Sequence, residues 1–380
     1  MLLIEPAREY ERALLRGIMR YSQRHGPWVF FREKPFWETQ PRKSLIAQIG
    51  TVDGIVMREC SGLREILGVG KPTIVSPYAT ERIPASGCIV SDHVAMGRMA
   101  AEHLLERGFR HFAFCGYDRV FWSRQRCEGF RDRIAFAGFA THRYRSPRLG
   151  RRMSWNNEQQ LLMDWLVSLP KPVAVMACVD ERSQQVAEAC KTAQLAVPDQ
   201  VAIVGVDNDE FLCCLSNLPL SSVAIDAERA GFQSAALLAA LMAGCRAQNR
   251  VITVEPIRVV TRVSSDIFAV DDPHVARALR CIREGCRQAI RVIDVVRSAG
   301  LSRRVLEKRF QSSLNRTIGQ EIRRQRVDQI ASMLLNTDLS IADIAAALGY
   351  QDAAHIARYF SRVNAVSPQT YRRQHRRSYG

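Results

Sequence analysis

From Leu2 to about Ser264 the chain alternates short apolar runs with stretches whose apolar positions recur every three or four residues. The runs at 2–4, 29–31, 54–56, 73–75, 112–115, 173–177 and 201–206 predict strands, and the periodic stretches at 11–23, 94–107, 125–136, 158–166 and 181–193 predict helices. Strands alternating with helices predict parallel sheets covered on both faces. The length exceeds one ordinary doubly wound sheet, so two lobes are expected. Ligands of such sheets lie beyond the carboxyl ends of the strands, which directs attention to the loops after Ile4, Cys115, Ala177 and Val206.

The pattern breaks near Ser264, and beyond His274 only helical periodicity remains. The expected organisation is an α/β domain over 1–264, a linker over 265–274 and an all-α domain over 275–380. The helical part holds one unit twice. Asp294…Gly300-Leu301-Ser302…Leu306…Phe310 returns as Asp343…Gly349-Tyr350…Asp352…Ile356…Phe360, with Asp and Gly 49 residues apart. Each copy predicts a helix stopped by Gly, then a polar cap (Ser302 or Asp352) opening a second helix. That is a helix-turn-helix, whose second helix can enter a major groove. The inward pairs Leu306/Phe310 and Ile356/Phe360 leave Arg303, Arg304, Glu307 and Lys308 outward in one copy and Ala354, His355, Arg358 and Arg362 in the other. A helix predicted over 318–336 joins them, about 28 Å long at 1.5 Å per residue and comparable to one turn of B-DNA.

Charge supports the same division. Of the net +16, residues 275–380 carry 20 basic against 8 acidic groups, a net of +12, and the other 274 residues only +4. A near-neutral body with a basic module fits double-stranded DNA as partner. Eleven cysteines form no CxxC pair; Cys213-Cys214 are adjacent and Cys281 and Cys286 have the wrong spacing, so packing residues in a reducing cytoplasm are expected. No signal peptide or membrane span is expected. GxxxxGK(S/T), HExxH and GxSxG signatures are absent, and an enzyme is not expected.

Residues Ser302…Leu306…Phe310, Arg326…Leu334-Leu335, Ser340-Ile341…Ile344-Ala345…Gly349-Tyr350, Phe360 and Ser367-Pro368…Tyr371-Arg372 closely resemble the DNA-binding domain of AraC/XylS-family transcription regulators. The resemblance puts base-reading positions at Arg304, Lys308, Ala354 and Arg358. Ala354 cannot hydrogen-bond a base edge, so the second helix reads by methyl contact or grips phosphate. His355-Ile356 replaces the family's frequent Tyr-Phe; His355 is either a phosphate donor or a plain surface histidine.

The front of the chain resembles the effector domain of LacI-type repressors, which has the periplasmic-binding-protein fold. The matching residues include Ser91-Asp92…Met96-Gly97, Arg126…Gly129-Phe130, Ile203-Val204-Gly205-Val206-Asp207-Asn208 and Pro219-Leu220-Ser221-Ser222-Val223. Such repressors begin with their own helix-turn-helix, whereas here the DNA reader follows the sensor. Combined, the resemblances imply a sugar-responsive regulator with a xylose-like pentose as effector, a homodimer acting with RNA polymerase, and no cofactor; another sugar or a purine is the alternative effector. A transport-type solute-binding protein is the different-class alternative, opposed by the basic tail. They also make Arg126 and Asp207 the leading ligand residues, followed by Asp180, Asn208 and Asp92. Asp92 serves either the ligand or as the cap of a helix starting near His93. Val179-Asp180 stands where the family commonly has Asn-Asp, which leaves Asp180's contact open. Trp122 and Tyr10 are either stacking surfaces for a sugar ring or core aromatics.

Overall fold

A computed structural model of the chain describes residues 1–31, 42–79, 83–145, 155–245, 250–270, 272–285, 290–350 and 352–375; the side chains of 42–44, 155–156, 336, 355 and 374–375 lie outside that description. Two compact units emerge: Met1–Leu105 with Arg110–Ile267, and Glu106–Phe109 with Phe268–Gly380.

The first unit opens with β1 (Leu2–Leu3), α1 (Glu9–His25), α2 (Arg42–Gly50), β2 (Ile55–Arg58), α3 (Leu63–Gly68), β3 (Thr73–Ser76) and β4 (Gly87–Ser91). It continues through α4 (His93–Leu105), β5 (His111–Cys115), α5 (Phe121–Phe136), β6 (Thr141–Arg143), α6 (Trp155–Ser168), β7 (Val173–Ala177), α7 (Asp180–Thr192) and β8 (Val201–Val206). It closes with α8 (Glu210–Leu215), β9 (Ser221–Ile225), α9 (Ala227–Met242), β10 (Arg250–Val254) and β11 (Pro256–Val260). Two sheets result, ordered β1-β2-β3-β4-β10 and β11-β9-β8-β7-β5-β6, with every pairing parallel except β11 on β9. Each sheet is the centre of one lobe.

Strands β7 and β8 are buried at every residue. Helices therefore cover both faces of the sheet, and the strands read as unbroken apolar runs. The chain passes between lobes at Asp92, Asp226 and Glu255. Those crossings are tied together: Asp92 N donates to Val254 O (3.0 Å) and Asp226 N to Glu255 O (2.9 Å). Arg229 pairs with both Asp226 and Glu255 at 3.0 Å.

Residues 29–31, expected as a strand, form none. Phe31 O accepts one hydrogen bond from Leu2 N, and with Val29 79% exposed nothing extends this into a ladder. Conversely β9 is a strand despite its serines, because their hydroxyls are satisfied within the fold: Ser221 Oγ donates to Arg262 O and Ser222 Oγ to Asp180 Oδ1.

The second unit is helical: α10 (Pro273–Gly285), α11 (Val292–Ala299), α12 (Arg303–Leu314), α13 (Ile318–Asn336), α14 (Ile341–Ala347), α15 (Ala353–Asn364) and α16 (Pro368–His375). Helix α10 begins inside the span expected as linker. Two small cores divide α13 between them. Ile318 and Ile322 pack with Val295, Leu306 and Phe310, whereas Ile330 and Leu334 pack with Ile344, Ile356 and Phe360. Neither helix pair could bury its apolar face alone, so α13 makes one body of two repeats. Among the described residues no helix is long and apolar enough to cross a membrane.

Candidate functional site

Between the two lobes lies a cavity of about 330 Å³ whose walls come from the carboxyl ends of strands in both sheets. The first lobe supplies Arg8, Tyr10 and Glu11 after β1, and Arg58 at the end of β2. The second supplies Trp122, Arg126 and Asp207, with His93 at the start of α4.

Asp207 follows β8 with φ +102°, and Asn208 has φ +50°. Left-handed backbone at a residue with a Cβ costs of order 1–3 kcal/mol and persists where the surroundings impose it. Here it delivers the Asp207 carboxylate to the cavity wall, where Arg126 Nη2 reaches Oδ1 at 3.3 Å. Arg126 is held on its other sides by Cys178 O, which accepts from Nη1, and by His93 Nδ1, which accepts from Nε at 3.3 Å. Its guanidinium lies 5.2 Å from the Trp122 ring centre. Thus Arg126, Asp207 and Trp122 meet, and Tyr10 joins from the opposite lobe, its hydroxyl bonded to Ser76 Oγ at 3.0 Å.

The other three expected ligand residues are placed elsewhere. Asp92 Oδ1 accepts from Ala95 N at 2.8 Å and caps α4. Asp180 is buried behind the wall, accepting from Ser222 Oγ (2.6 Å) and Asp209 N (2.8 Å); burial first, then the nearby Asp207 carboxylate, pushes its pKa well above the carboxylate range. Asn208 Oδ1 accepts from Arg262 Nη2 at 2.8 Å. None of the three lines the cavity.

Four ionisable lining residues were not among the expected ligand residues: Arg8, Glu11, Arg58 and His93. Arg58 sits between the rings of Tyr10 (4.8 Å) and Tyr78 (5.1 Å) and pairs with Glu11 at 3.4 Å. Arg8 pairs across the lobes with Glu181 at 2.7 Å, and Arg12 with Asp209 at 2.5 Å. Each lining arginine thus has a carboxylate partner. Two polar atoms of lining residues, Glu11 Oε2 and Trp122 Nε1, are buried within the wall with no hydrogen-bond partner among the described residues.

Burial, then Arg126 and Arg58, pushes the His93 pKa down to about 2. The accepting Nδ1 is likewise that of a neutral ring. With the folded value below the ordinary 6.5, the unfolded chain takes up the extra proton, so this contribution to stability is present above pH 6.5 and lost as pH falls below it. Thermal melts of the full chain between pH 7 and pH 5 are expected to show a loss approaching about 1.4 kcal/mol per pH unit from this one group. His93→Gln is expected to flatten that component.

The candidate DNA-facing surface is built by the repeat. In each copy the turn passes through a left-handed glycine, Gly300 at φ +69° and Gly349 at φ +74°. Ser302 Oγ then accepts from Val305 N, and Asp352 Oδ1 from Ala354 N, opening α12 and α15. With Leu306, Phe310, Ile356 and Phe360 buried, Arg303, Arg304 and Lys308 stand exposed on α12, and Ala354, Arg358 and Arg362 on α15. His355 lies on α15, but its side chain falls outside the described residues. Arg372 braces the second copy, donating from Nε to Leu334 O at 3.0 Å near the end of α13. Base contacts are typically worth about 1–3 kcal/mol, so Arg304→Ala and Lys308→Ala are each expected to narrow the gap between operator and random DNA. Competition binding measures it; an unchanged gap in both variants would remove α12 as a base reader.

A ligand cleft between two parallel-sheet lobes, together with a duplicated helix-turn-helix, defines a ligand-responsive, DNA-binding transcription regulator. The sequence matches the "Periplasmic binding protein-like domain" family over residues 101–265 and the "Helix-turn-helix domain" family over 295–374. It is 30% identical to the xylose operon regulatory protein of Haemophilus influenzae, over 98% of this chain and 97% of that one. Against the protein of the same description from Escherichia coli K12 the identity is 30%, covering 98% and 96%. A solved structure described as a xylose-binding transcription activator superposes with TM-score 0.62 at 28% identity, covering 99% of this chain and 98% of that one. The chain belongs to the family of the xylose operon regulatory proteins, sugar-responsive AraC-type regulators with a periplasmic-binding-protein-like effector domain.

Proposed function

We propose that this chain senses xylose, or a pentose of closely similar shape, in the interlobe cavity and activates transcription of a pentose-catabolism operon. It acts as a cytoplasmic homodimer that presents four reading helices to its promoter and engages RNA polymerase, and it catalyses no reaction. The observation that carries the effector is a cavity of about 330 Å³ in which the charged planar groups of Arg126, Asp207 and Arg58 stand beside the rings of Trp122 and Tyr10, the mix of paired hydrogen-bonding groups and aromatic surface that a sugar ring requires. That volume is at the lower end for small-molecule sites, which suits a single sugar ring better than a disaccharide. The xylose descriptions of the relatives support the same choice.

A thermal-shift comparison of D-xylose, L-arabinose, D-ribose, D-glucose, adenine and guanine tests it. A ligand at a hundredfold its Kd stabilises by about 2.7 kcal/mol, and D-xylose is expected to give the largest upward shift. A shift with a purine and none with any pentose would overturn the proposal.

A further inference from the structure

Behind the cleft, in the lobe of the six-stranded sheet, lies a cation that the sugar reading leaves unused. The Arg182 side chain on α7 is only 1% exposed. Its guanidinium stands 5.2 Å from the centre of the Tyr117 ring and 5.1 Å from that of Tyr144. Nη1 donates to Glu158 (2.8 Å) and Gln185 (2.5 Å), while Nε and Nη2 are buried with no hydrogen-bond partner among the described residues. A cation this deeply buried is costly even when paired, and an apolar side chain of similar volume would fill the same space more easily. What the planar cation adds is orientation, because each ring is attracted to it by its face.

The stack continues toward the effector. Tyr117, whose N–H is held by Ser123 Oγ at 2.8 Å, meets Trp122 nearly edge-on, with centroids 6.3 Å apart and planes at 83°. Trp122 in turn carries Arg126, which holds Asp207. Arg182, Tyr117, Trp122 and Arg126 thus form a continuous column of cations and rings, running from the core of one lobe to the cavity wall.

We propose that Arg182 is a positioning residue for effector recognition: by fixing the Tyr117 ring it sets the plane of Trp122, and it does so without touching the effector. The inference rests on the reading of the cavity as the sugar site.

Calorimetric titration of D-xylose into the full-length protein tests it, using wild type, Arg182→Met, Arg182→Lys, Trp122→Ala and the double variant R182M/W122A. Arg182→Met is expected to bind about tenfold more weakly and to change the near-ultraviolet tryptophan circular dichroism, and Arg182→Lys to recover only part of the affinity. In the Trp122→Ala background, Arg182→Met is expected to add no further loss. Wild-type affinity in Arg182→Met, or an equal tenfold loss without Trp122, would overturn the proposal. Should Arg182→Met not fold, Tyr117→Leu substitutes for it, with the same expected loss and the same reversal if affinity is unchanged. Absence of D-xylose binding in wild type would defeat the sugar reading and this inference together. Weakened Trp122→Ala beside an unaffected Arg182→Met would defeat this inference alone.

Discussion

Asp207→Ala is expected to weaken D-xylose binding about a hundredfold while leaving DNA affinity in the absence of sugar close to wild type. Two losses combine. The effector loses a charged acceptor, and hydrogen bonds to charged groups are worth about 1.5–3 kcal/mol. Arg126, whose side chain is 5% exposed, also loses its only carboxylate partner among the described ion pairs. A buried cation deprived of its partner is strongly destabilised. Because alanine inherits φ +102° as well, Asp207→Gly separates backbone from carboxylate. Glycine accepts that conformation without strain, so this variant is expected to melt higher than Asp207→Ala yet to bind sugar no better. Calorimetry on the two variants checks both statements, and unchanged sugar affinity in both would remove Asp207 from the site.

The contrast between Asp207 and its neighbours explains what sequence pattern can and cannot locate. That Asp207 and Arg126 would reach the cavity wall was legible because Asp207 follows a strand and Arg126 lies in the helix after another, both in stretches resembling known effector domains. The helices α12 and α13 were accessible to the residue, since Ser302 and Asn336 bracket unambiguous periodicity. Glu11 and Arg58 were not, because what brings them together is the parallel pairing of β1 with β2, a long-range event with no local signature. Asp180 misled for the opposite reason. It occupies a strand-end position like Asp207, but the Ser222 hydroxyl and the Asp209 N–H turn its carboxylate inward, and neither partner is its sequence neighbour. Edge strands such as β10, with Arg250, Val251 and Thr253 exposed, lack the apolar run that betrays β7 and β8. Local pattern therefore located elements with buried faces, whereas side-chain direction at the site followed from tertiary pairing.

Gly97→Ala is expected to lower both stability and sugar affinity, although the same change in an open helix would stabilise. In the interior of a helix alanine is favoured over glycine by about 1 kcal/mol. At Gly97 of α4, however, an added Cβ would lie 2.1 Å from Arg126 O and 2.7 Å from Phe130 N on α5, far inside any real contact and against backbone. The helices must part, and overpacking of this kind costs about 1–3 kcal/mol or more, which outweighs the propensity gain. The atom met is the carbonyl of Arg126 itself, so α5 is expected to carry Trp122 and Arg126 away from the cavity as it moves. Gly50, helical with nothing within 4 Å, is the control: Gly50→Ala should leave both quantities unchanged or slightly raise the melting temperature. The lobe of the five-stranded sheet repeats the device. A Cβ on Gly17 of α1 would meet Glu228 O at 2.0 Å, and one on Gly231 of α9 would meet Leu14 O at 2.1 Å, beneath the helix that bears Tyr10 and Glu11. Each side of the cleft is therefore set by a pair of helices pressed together at glycine. Thermal melts with D-xylose titration decide the matter: wild-type affinity in Gly97→Ala would mean that α5 has slack to absorb the methyl group, and that the close approach does not position the site.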